Sequence, residues 1–141
     1  MNGRPTGASI LTVADIMTLD PVVIRADAPL EEAERLMRDR RISGLPVVDG
    51  FQRLVGVISR TDILDDGSAS LAFLLRRRPT GLRVGELMTS PAVTTSLSSA
   101  LGEAARLMRD NRIHRVVAID DDGRPVGVLA ASDFVALYAD G

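Results

Sequence analysis

The sequence contains no cysteine and no lysine, and aromatic residues make up only 3% of its 141 residues. The absence of cysteine excludes disulfides, thiolate metal ligands and thiol nucleophiles. The scarcity of aromatic residues argues against a surface that stacks single-stranded nucleic acid. Because the formal net charge is −2, the chain also lacks a broad basic field that would attract nucleic acid.

Long apolar runs are also missing. The longest run, residues 69–75, is interrupted by Ser70 and is far shorter than the ~20 residues that span a bilayer. No signal peptide is visible at the N-terminus. These features predict a cytoplasmic protein without a membrane partner. Its core is expected to consist of Val, Ile, Leu, Met and Ala, since hydrophobic residues make up 45% of the chain.

The sequence repeats itself at a spacing of 71 positions. The pentapeptide Arg-Leu-Met-Arg-Asp occurs at residues 35–39 and again at residues 106–110, and Asp62 recurs as Asp133 at the same spacing. One repeat of about 60 residues would be marginally stable alone. The predicted organisation is an N-terminal stretch at residues 1–12, a first repeat at 13–64, a connecting segment at 65–83 and a second repeat at 84–138.

Each repeat shows the same order of predicted elements. A short helical segment (residues 13–17 and 84–88) precedes a strand, a helix, a hairpin of two strands and a last helix. Asp27 is expected to cap the longer helix of repeat one, and Ser98 or Ser99 that of repeat two. Asp49-Gly50 predicts the first hairpin turn, because glycine accepts a positive φ. The predicted fold class is mixed α/β (α+β), with two β-α-β-β-α repeats.

The most informative motif ends the second hairpin strand of each repeat. Ser59 followed by Asp62 is typical of a capping box. The same geometry suits binding, because a carboxylate at a helix start can accept two hydrogen bonds from a ribose diol. In repeat two Ala130 replaces the serine while Asp133 persists. This persistence favours ribose binding over capping alone.

A second candidate group is His114 beside Arg115, at the step from helix to strand. The only histidine of the chain is either incidental or helps to hold a phosphate. Catalysis is not indicated, because Ser59 has no histidine at a readable spacing. The acidic run at residues 120–122 sits in a predicted hairpin turn, where aspartate is common, and a metal site is not expected there.

The sequence resembles a tandem pair of cystathionine β-synthase (CBS) domains, also called a Bateman module. The matching pieces are residues 13–18, 44–49 and 54–63 together with their copies in repeat two. The resemblance covers residues 10–138. It implies two repeats related by a pseudo-two-fold axis, with sheets packed side by side, helices outside and clefts between the repeats. It also implies pairing into homodimers through helices.

In such modules the clefts bind adenosine ligands such as AMP, ADP, ATP, S-adenosylmethionine or a dinucleotide. The resemblance implies that the acidic residue holds ribose, strand backbone holds the base and His-Arg reaches phosphate. The first predicted site combines Ser59, Thr61 and Asp62 with Val93, Thr94, His114, Arg115 and Val116. The second combines Asp133 with Val23, Ile24, Gly44, Leu45 and Pro46. The second site departs from the pattern at Ala130 and Ser43-Gly44, so it is expected to be empty or to hold an uncharged nucleoside.

The sequence therefore predicts a non-enzymatic regulatory module that binds an adenine nucleotide as a ligand, with no catalytic cofactor. Any signal is expected to pass to a separate effector protein. The alternative is an interaction scaffold whose nucleotide clefts are vestigial.

Overall fold

The computed structural model describes residues 11–64 and 81–140, so most of the predicted connecting segment lies outside the described residues. In chain order the elements are α1 (Val13–Ile16), β1 (Thr18–Leu19), β2 (Ile24–Arg25), α2 (Leu30–Arg40), β3 (Gly44–Val48), β4 (Leu54–Ser59), α3 (Arg60–Leu64), α4 (Val84–Leu87), β5 (Thr94–Thr95), α5 (Leu101–Asn111), β6 (Arg115–Ile119), β7 (Pro125–Ala130) and α6 (Ala131–Asp140). The predicted β-α-β-β-α order is confirmed in both repeats.

The described chain forms two compact units. We call residues 22–64 with 81–92 the continuous unit, and residues 11–21 with 93–140 the split unit. Neither unit coincides with one sequence repeat, because each boundary falls just after a short entry helix. The compact units are therefore shifted along the chain relative to the repeats.

The continuous unit is built on a three-stranded sheet in the order β2-β3-β4. β2 runs parallel to β3, with Ile24 opposite Val47, and β3 runs antiparallel to β4, with Leu45 opposite Ile58. These four side chains belong to one buried cluster. Helix α2 adds its apolar stripe to this cluster through Leu30, Ala33 and Met37, as the i, i+3, i+4 spacing predicts.

The split unit repeats this plan with one more strand, in the order β1-β7-β6-β5. β5 runs parallel to β6, while β7 runs antiparallel to both β6 and β1. Helix α5 buries Leu101, Ala104 and Met108 in the core of this unit. These residues occupy the repeat positions of the buried residues of α2.

The extra pieces of each unit come from the other repeat. We call residues 13–19 the first entry segment and residues 84–90 the second entry segment. Val13 lies in the core of the split unit, and Val84 lies in the core of the continuous unit. Thr89 exchanges two backbone hydrogen bonds with Val57 of β4, at 3.0 and 2.8 Å. Each entry segment thus completes the sheet formed by the hairpin of the other repeat.

Two equivalent glycines allow this close approach. A Cβ atom at Gly56 would lie 2.7 Å from Met88 Sδ and 2.8 Å from the Thr89 carbonyl oxygen. A Cβ atom at Gly127 would collide with Met17 Sδ in the same way. A side chain at either position would therefore push the entry segment away from its strand.

The side-chain caps predicted for the long helices were wrong. The N-cap residues are Pro29 and Ala100, and neither helix receives a side-chain cap bond. Asp27 is bound instead to the guanidinium of Arg25, at 2.8 Å. Ser99 forms a 2.8 Å hydrogen bond with the hydroxyl of Ser96.

Backbone groups from neighbouring segments take over the capping role. The Leu30 N–H donates to the Leu82 carbonyl at 3.0 Å, and the Leu101 N–H donates to the Leu11 carbonyl at 2.8 Å. These bonds satisfy the first N–H group of each helix, which is one of the four at a helix start that have no intrahelical partner. The third N–H group of each helix, which a capping side chain could bind, donates instead to the carbonyl of the N-cap residue, at 3.0 Å in both helices.

The hairpin turn of the first repeat also differs from its prediction. Gln52, not Gly50, carries the positive φ, at 67°. The Asp49 carboxylate organises this turn by accepting hydrogen bonds from the Arg53 and Phe51 N–H groups, at 3.0 and 2.8 Å. The bond from Arg53, followed by that from Phe51, lowers the pKa of Asp49 from its ordinary 3.8.

Candidate functional site

The candidate site begins where β4 ends and α3 begins. The Ser59 N–H donates to Asp62 Oδ2 at 2.9 Å, and the Asp62 N–H donates to Ser59 Oγ at 3.1 Å. This reciprocal pair is the capping box that the sequence pattern predicts. Both residues are half-buried, whereas Thr61 is exposed.

A third group reaches the Asp62 carboxylate from the second entry segment. Thr89 Oγ1 donates to Asp62 Oδ1 at 3.1 Å. Sequence reasoning missed this residue, although the Thr18/Thr89 match was part of the repeat. The signal was present as a threonine that follows methionine in both entry segments.

The equivalent position in the split unit is simpler. The Ala130 N–H donates to Asp133 Oδ2 at 2.7 Å, without any serine hydroxyl in return. Asp133 Oδ1 accepts no hydrogen bond from the described residues. Since Asp133 serves the turn without the serine, its persistence in the sequence does not by itself favour ribose binding over capping.

The His114-Arg115 pair lies at the same end of the split unit as Asp133. Arg115 stands opposite Ala130 in the β6–β7 ladder, and the Ala131 N–H donates to the His114 carbonyl at 2.8 Å. The His114 side chain is exposed, whereas Arg115 is half-buried. Desolvation by this burial lowers the pKa of Arg115 below its ordinary value.

The remaining residues predicted to contact a ligand are mostly buried or half-buried, so they can present backbone groups more readily than side chains. Leu45 and Ile24 belong to the core of the continuous unit, and Val116 belongs to the core of the split unit. Pro46 is also buried, and Gly44 stands opposite Ser59 at the start of β3. Val23, Val93 and Thr94 are half-buried beside or within the short strands β2 and β5.

The residues of each predicted site are divided between the two units. The continuous unit brings Ser59, Thr61 and Asp62 together with Gly44 at one end of its sheet. The split unit brings His114 and Arg115 together with Asp133. The assignment of Asp62 and His114-Arg115 to one binding site stays a prediction.

A groove of about 420 Å³ lies on the helical side of the split unit. It is formed by α5, by the start of α6 and by the turn that leads into β6. The lining is mainly apolar and includes two arginines, and its residues are Ala105, Met108, Arg109, Arg112, Ile113, His114, Ala131 and Phe134.

Other kinds of site find no support in the described part of the chain. Among the residues whose side chains the structure describes, 11–63 and 81–135, no group of three or more His, Asp or Glu is suited to a metal ion. The Asp120 carboxylate accepts the N–H groups of Asp122 and Arg124, both at 2.9 Å, and so organises the second hairpin turn. Among the described residues, no helix is both long enough and apolar enough to cross a membrane.

The family model for the CBS domain matches the chain twice, at residues 13–68 and 84–140. The chain belongs to the CBS domain family. The two matches confirm the tandem CBS pair that the sequence motifs predict. They also cover both entry segments and both strand-to-helix turns that carry Asp62 and Asp133.

Relatives of the CBS pair occur in proteins of different length. The inosine-5′-monophosphate dehydrogenase of Mycobacterium tuberculosis is 34% identical over 120 residues, which are 84% of this chain and 21% of the dehydrogenase. The uncharacterized protein MJ1426 of Methanocaldococcus jannaschii is 27% identical, with 96% of this chain and 95% of that protein covered. The chain thus spans about a fifth of the length of the dehydrogenases that it matches.

Solved CBS structures share this mixed α/β fold. CBSX2 in complex with AMP has a TM-score of 0.78 and 30% identity, over 92% of this chain and 96% of CBSX2. The CBS domain pair of protein MJ0100, in complex with 5′-methylthioadenosine and S-adenosyl-L-methionine, also has a TM-score of 0.78. It is 25% identical, over 93% of this chain and 98% of the MJ0100 pair. Both of these CBS pairs bind ligands that contain adenosine.

Proposed function

We propose that this CBS pair is a non-enzymatic regulatory module that binds an adenosine-containing ligand and passes the signal to a separate effector protein. The observation that carries the proposal is the Asp62 carboxylate, which Ser59 and Thr89 hold at a strand-to-helix turn. A carboxylate fixed in this way can accept further hydrogen bonds from the two hydroxyls of a ribose. The AMP complex of CBSX2 and the S-adenosyl-L-methionine complex of MJ0100 support the ligand class.

In this proposal different residues bind the ribose, the phosphate and the base of the ligand. Ser59, Thr61 and Asp62 supply polar groups for ribose, and His114 with Arg115 supplies positive charge for phosphate. The backbone of Val93, Thr94 and Val116 supplies hydrogen bonds for the base. The second, weaker site uses Asp133 with the backbone of Val23, Ile24, Gly44 and Leu45 and with the ring of Pro46.

Isothermal titration calorimetry with AMP, ATP and S-adenosylmethionine tests the proposal. At least one of them should bind more tightly than ~1 mM, which corresponds to roughly −4 kcal/mol. The absence of binding at that level by all three would refute nucleotide binding. A ligand retained through purification and identified by mass spectrometry would name the natural one.

Two equivalent substitutions separate binding from capping. Asp62→Ala and Asp133→Ala each remove one carboxylate that accepts an N–H three residues earlier, at 2.9 and 2.7 Å. Asp62→Ala should weaken the tighter binding event more than about a hundredfold, because charge-assisted hydrogen bonds contribute ~1.5–3 kcal/mol each. Arg115→Ala should abolish the same event, and Asp133→Ala should leave it unchanged. Equal losses from the two aspartate variants would show that the ranking of the sites is wrong.

A scaffold function with vestigial sites is the second candidate. One observation favours it, since the capping box accounts for Ser59 and Asp62 without any ligand. This alternative would be supported if the effector is pulled down equally well with and without nucleotides and if calorimetry shows no nucleotide binding. Turnover of ATP that is lost in Asp62→Ala would instead support an enzyme.

Pairing into homodimers is the further part of the proposal. The apolar residues that line the groove along α5 and α6 support it, as does Val135 on α6, whose exposed fraction is 67%. Light scattering of the purified protein should give twice the mass of the 15.1 kDa chain. The cytoplasmic location expected from the sequence stays a prediction.

A further inference from the structure

The Asp62 carboxylate is held from two directions. Its Oδ2 accepts the Ser59 N–H from the end of β4, and its Oδ1 accepts the Thr89 hydroxyl from the second entry segment. Thr89 is brought there by its two backbone hydrogen bonds with Val57. The orientation of this side chain therefore depends on a segment of the other sequence repeat.

The hydrogen bonds leave the carboxylate able to accept more. An ionised carboxylate offers about four lone-pair positions on its two oxygens. Among the described residues, Ser59 donates to one oxygen and Thr89 to the other, and none of them donates to the second position on either oxygen. Two neighbouring acceptors suit the two neighbouring hydroxyls of a ribose. A carboxylate that is already oriented loses less conformational entropy when the ligand binds.

We propose that Thr89 is a positioning residue, whose hydroxyl orients the Asp62 carboxylate to receive the 2′- and 3′-hydroxyls of a nucleotide. This inference rests on the proposed function. Thr89 acts through Asp62, so its effect should depend on the ribose hydroxyls of the ligand. No other part of the nucleotide is involved.

The equivalent threonine of the first entry segment serves as a matched control. Thr18 stands opposite Val128 in the β1–β7 ladder and is exposed. Its hydroxyl makes no hydrogen bond to another described residue, and Asp133 Oδ1 likewise accepts none from them. Thr18→Val thus makes the same chemical change at the same repeat position without altering a carboxylate.

The experiment is calorimetry of the full chain with AMP and with 2′-deoxy-AMP. Thr89→Val should weaken AMP binding about tenfold, as expected for one lost hydrogen bond to a charged group. Thr89→Ser retains the hydroxyl and should restore most of the affinity. Thr18→Val should bind AMP as the wild type does. Thermal denaturation shows whether valine disturbs the fold. If it does, Thr89→Ala provides the same comparison.

The ratio of the two dissociation constants distinguishes positioning from a general structural effect. The wild type should prefer AMP over 2′-deoxy-AMP about tenfold, and Thr89→Val should reduce that preference to about threefold or less. Equal weakening of both ligands, with the preference unchanged, would overturn the positioning role. So would wild-type affinity in Thr89→Val. If the wild-type chain binds neither AMP nor 2′-deoxy-AMP, the role of Thr89 in AMP binding is overturned, whereas the proposed function fails only if ATP and S-adenosylmethionine do not bind either.

Discussion

Asp62 and Asp133 occupy equivalent positions, and each accepts a hydrogen bond from the N–H three residues earlier. Their difference lies in the remaining oxygen, which Thr89 reaches in one unit and no described residue reaches in the other. The capping contact could be predicted from sequence because it is local. The contact with Thr89 could not, because 27 positions separate the two residues and only the docked entry segment brings them together.

Thr95 is a residue whose burial has a cost. It is 8% exposed, and its hydroxyl has no hydrogen-bond partner among the described residues. By the 71-residue spacing Ala118 corresponds to Val47, so Thr95, which pairs with Ala118, takes the place of the buried Ile24, which pairs with Val47. A buried hydroxyl without a partner loses its hydrogen bond to water and gains none in return.

We therefore expect Thr95→Val to stabilise the protein by about 1 kcal/mol, because valine has a similar shape and removes the unsatisfied group. Thermal denaturation should show a rise in Tm of about 3 °C. Thr18→Val, at an exposed position, should change stability by less than about 0.5 kcal/mol. A fall in Tm for Thr95→Val would mean that the hydroxyl is satisfied in the folded protein.

At the scale of elements, the patterns that depend on periodicity were predicted well. The apolar stripes of α2 and α5 were read correctly, since their burial follows from helical spacing alone. The caps at Asp27 and Ser99 were not, because the Leu82 and Leu11 carbonyls bind the first helical N–H groups. Those carbonyls are distant in sequence, so no local rule could indicate them.

The contact between β4 and the second entry segment allows no side chain at Gly56. We expect Gly56→Ala to destabilise the protein by about 1–3 kcal/mol, because the added methyl group meets Met88 Sδ and the Thr89 carbonyl oxygen. Urea denaturation measures this change in the free energy of unfolding. AMP binding should weaken in the same variant, since Thr89 would move away from Asp62.

Gly102→Ala provides the control for this substitution. Gly102 lies in α5, and the nearest atom to an added Cβ would be Arg106 Nη1 at 3.8 Å. Alanine in an open helical position should stabilise the protein by about 0.5–1 kcal/mol. The changes in the free energy of unfolding should have opposite signs in the two variants. A Gly56→Ala variant as stable as the wild type would contradict the close approach of the entry segment.

At the scale of the whole molecule, the sequence repeat predicted the fold but not which entry segment packs in which compact unit. Both entry segments have the same apolar pattern, with valine at Val13 and Val84 and methionine at Met17 and Met88. Either segment therefore satisfies the hydrophobic requirement of either hairpin. Sequence alone cannot tell which copy packs where, because the choice depends on the path of the chain.

Two fragments of the same length test which entry segment packs with which hairpin. Residues 22–92 contain the continuous unit with its entry segment, whereas residues 13–83 contain the first repeat with an entry segment that packs in the split unit. We expect cooperative unfolding from residues 22–92 and not from residues 13–83, as measured by circular dichroism in urea. The reverse result would show that each repeat packs with its own entry segment.

The exchanged entry segments also impose an order on biosynthesis. The ribosome releases the continuous unit as one uninterrupted stretch, so this half can fold while the second repeat is still being made. The first entry segment leaves early but must wait for β7, more than a hundred positions downstream. At typical translation rates this delay lasts roughly 5–20 s. During that interval Val13 and Met17 lack the strand β7 with which they share a core in the folded chain, so we expect chaperones to bind the first entry segment.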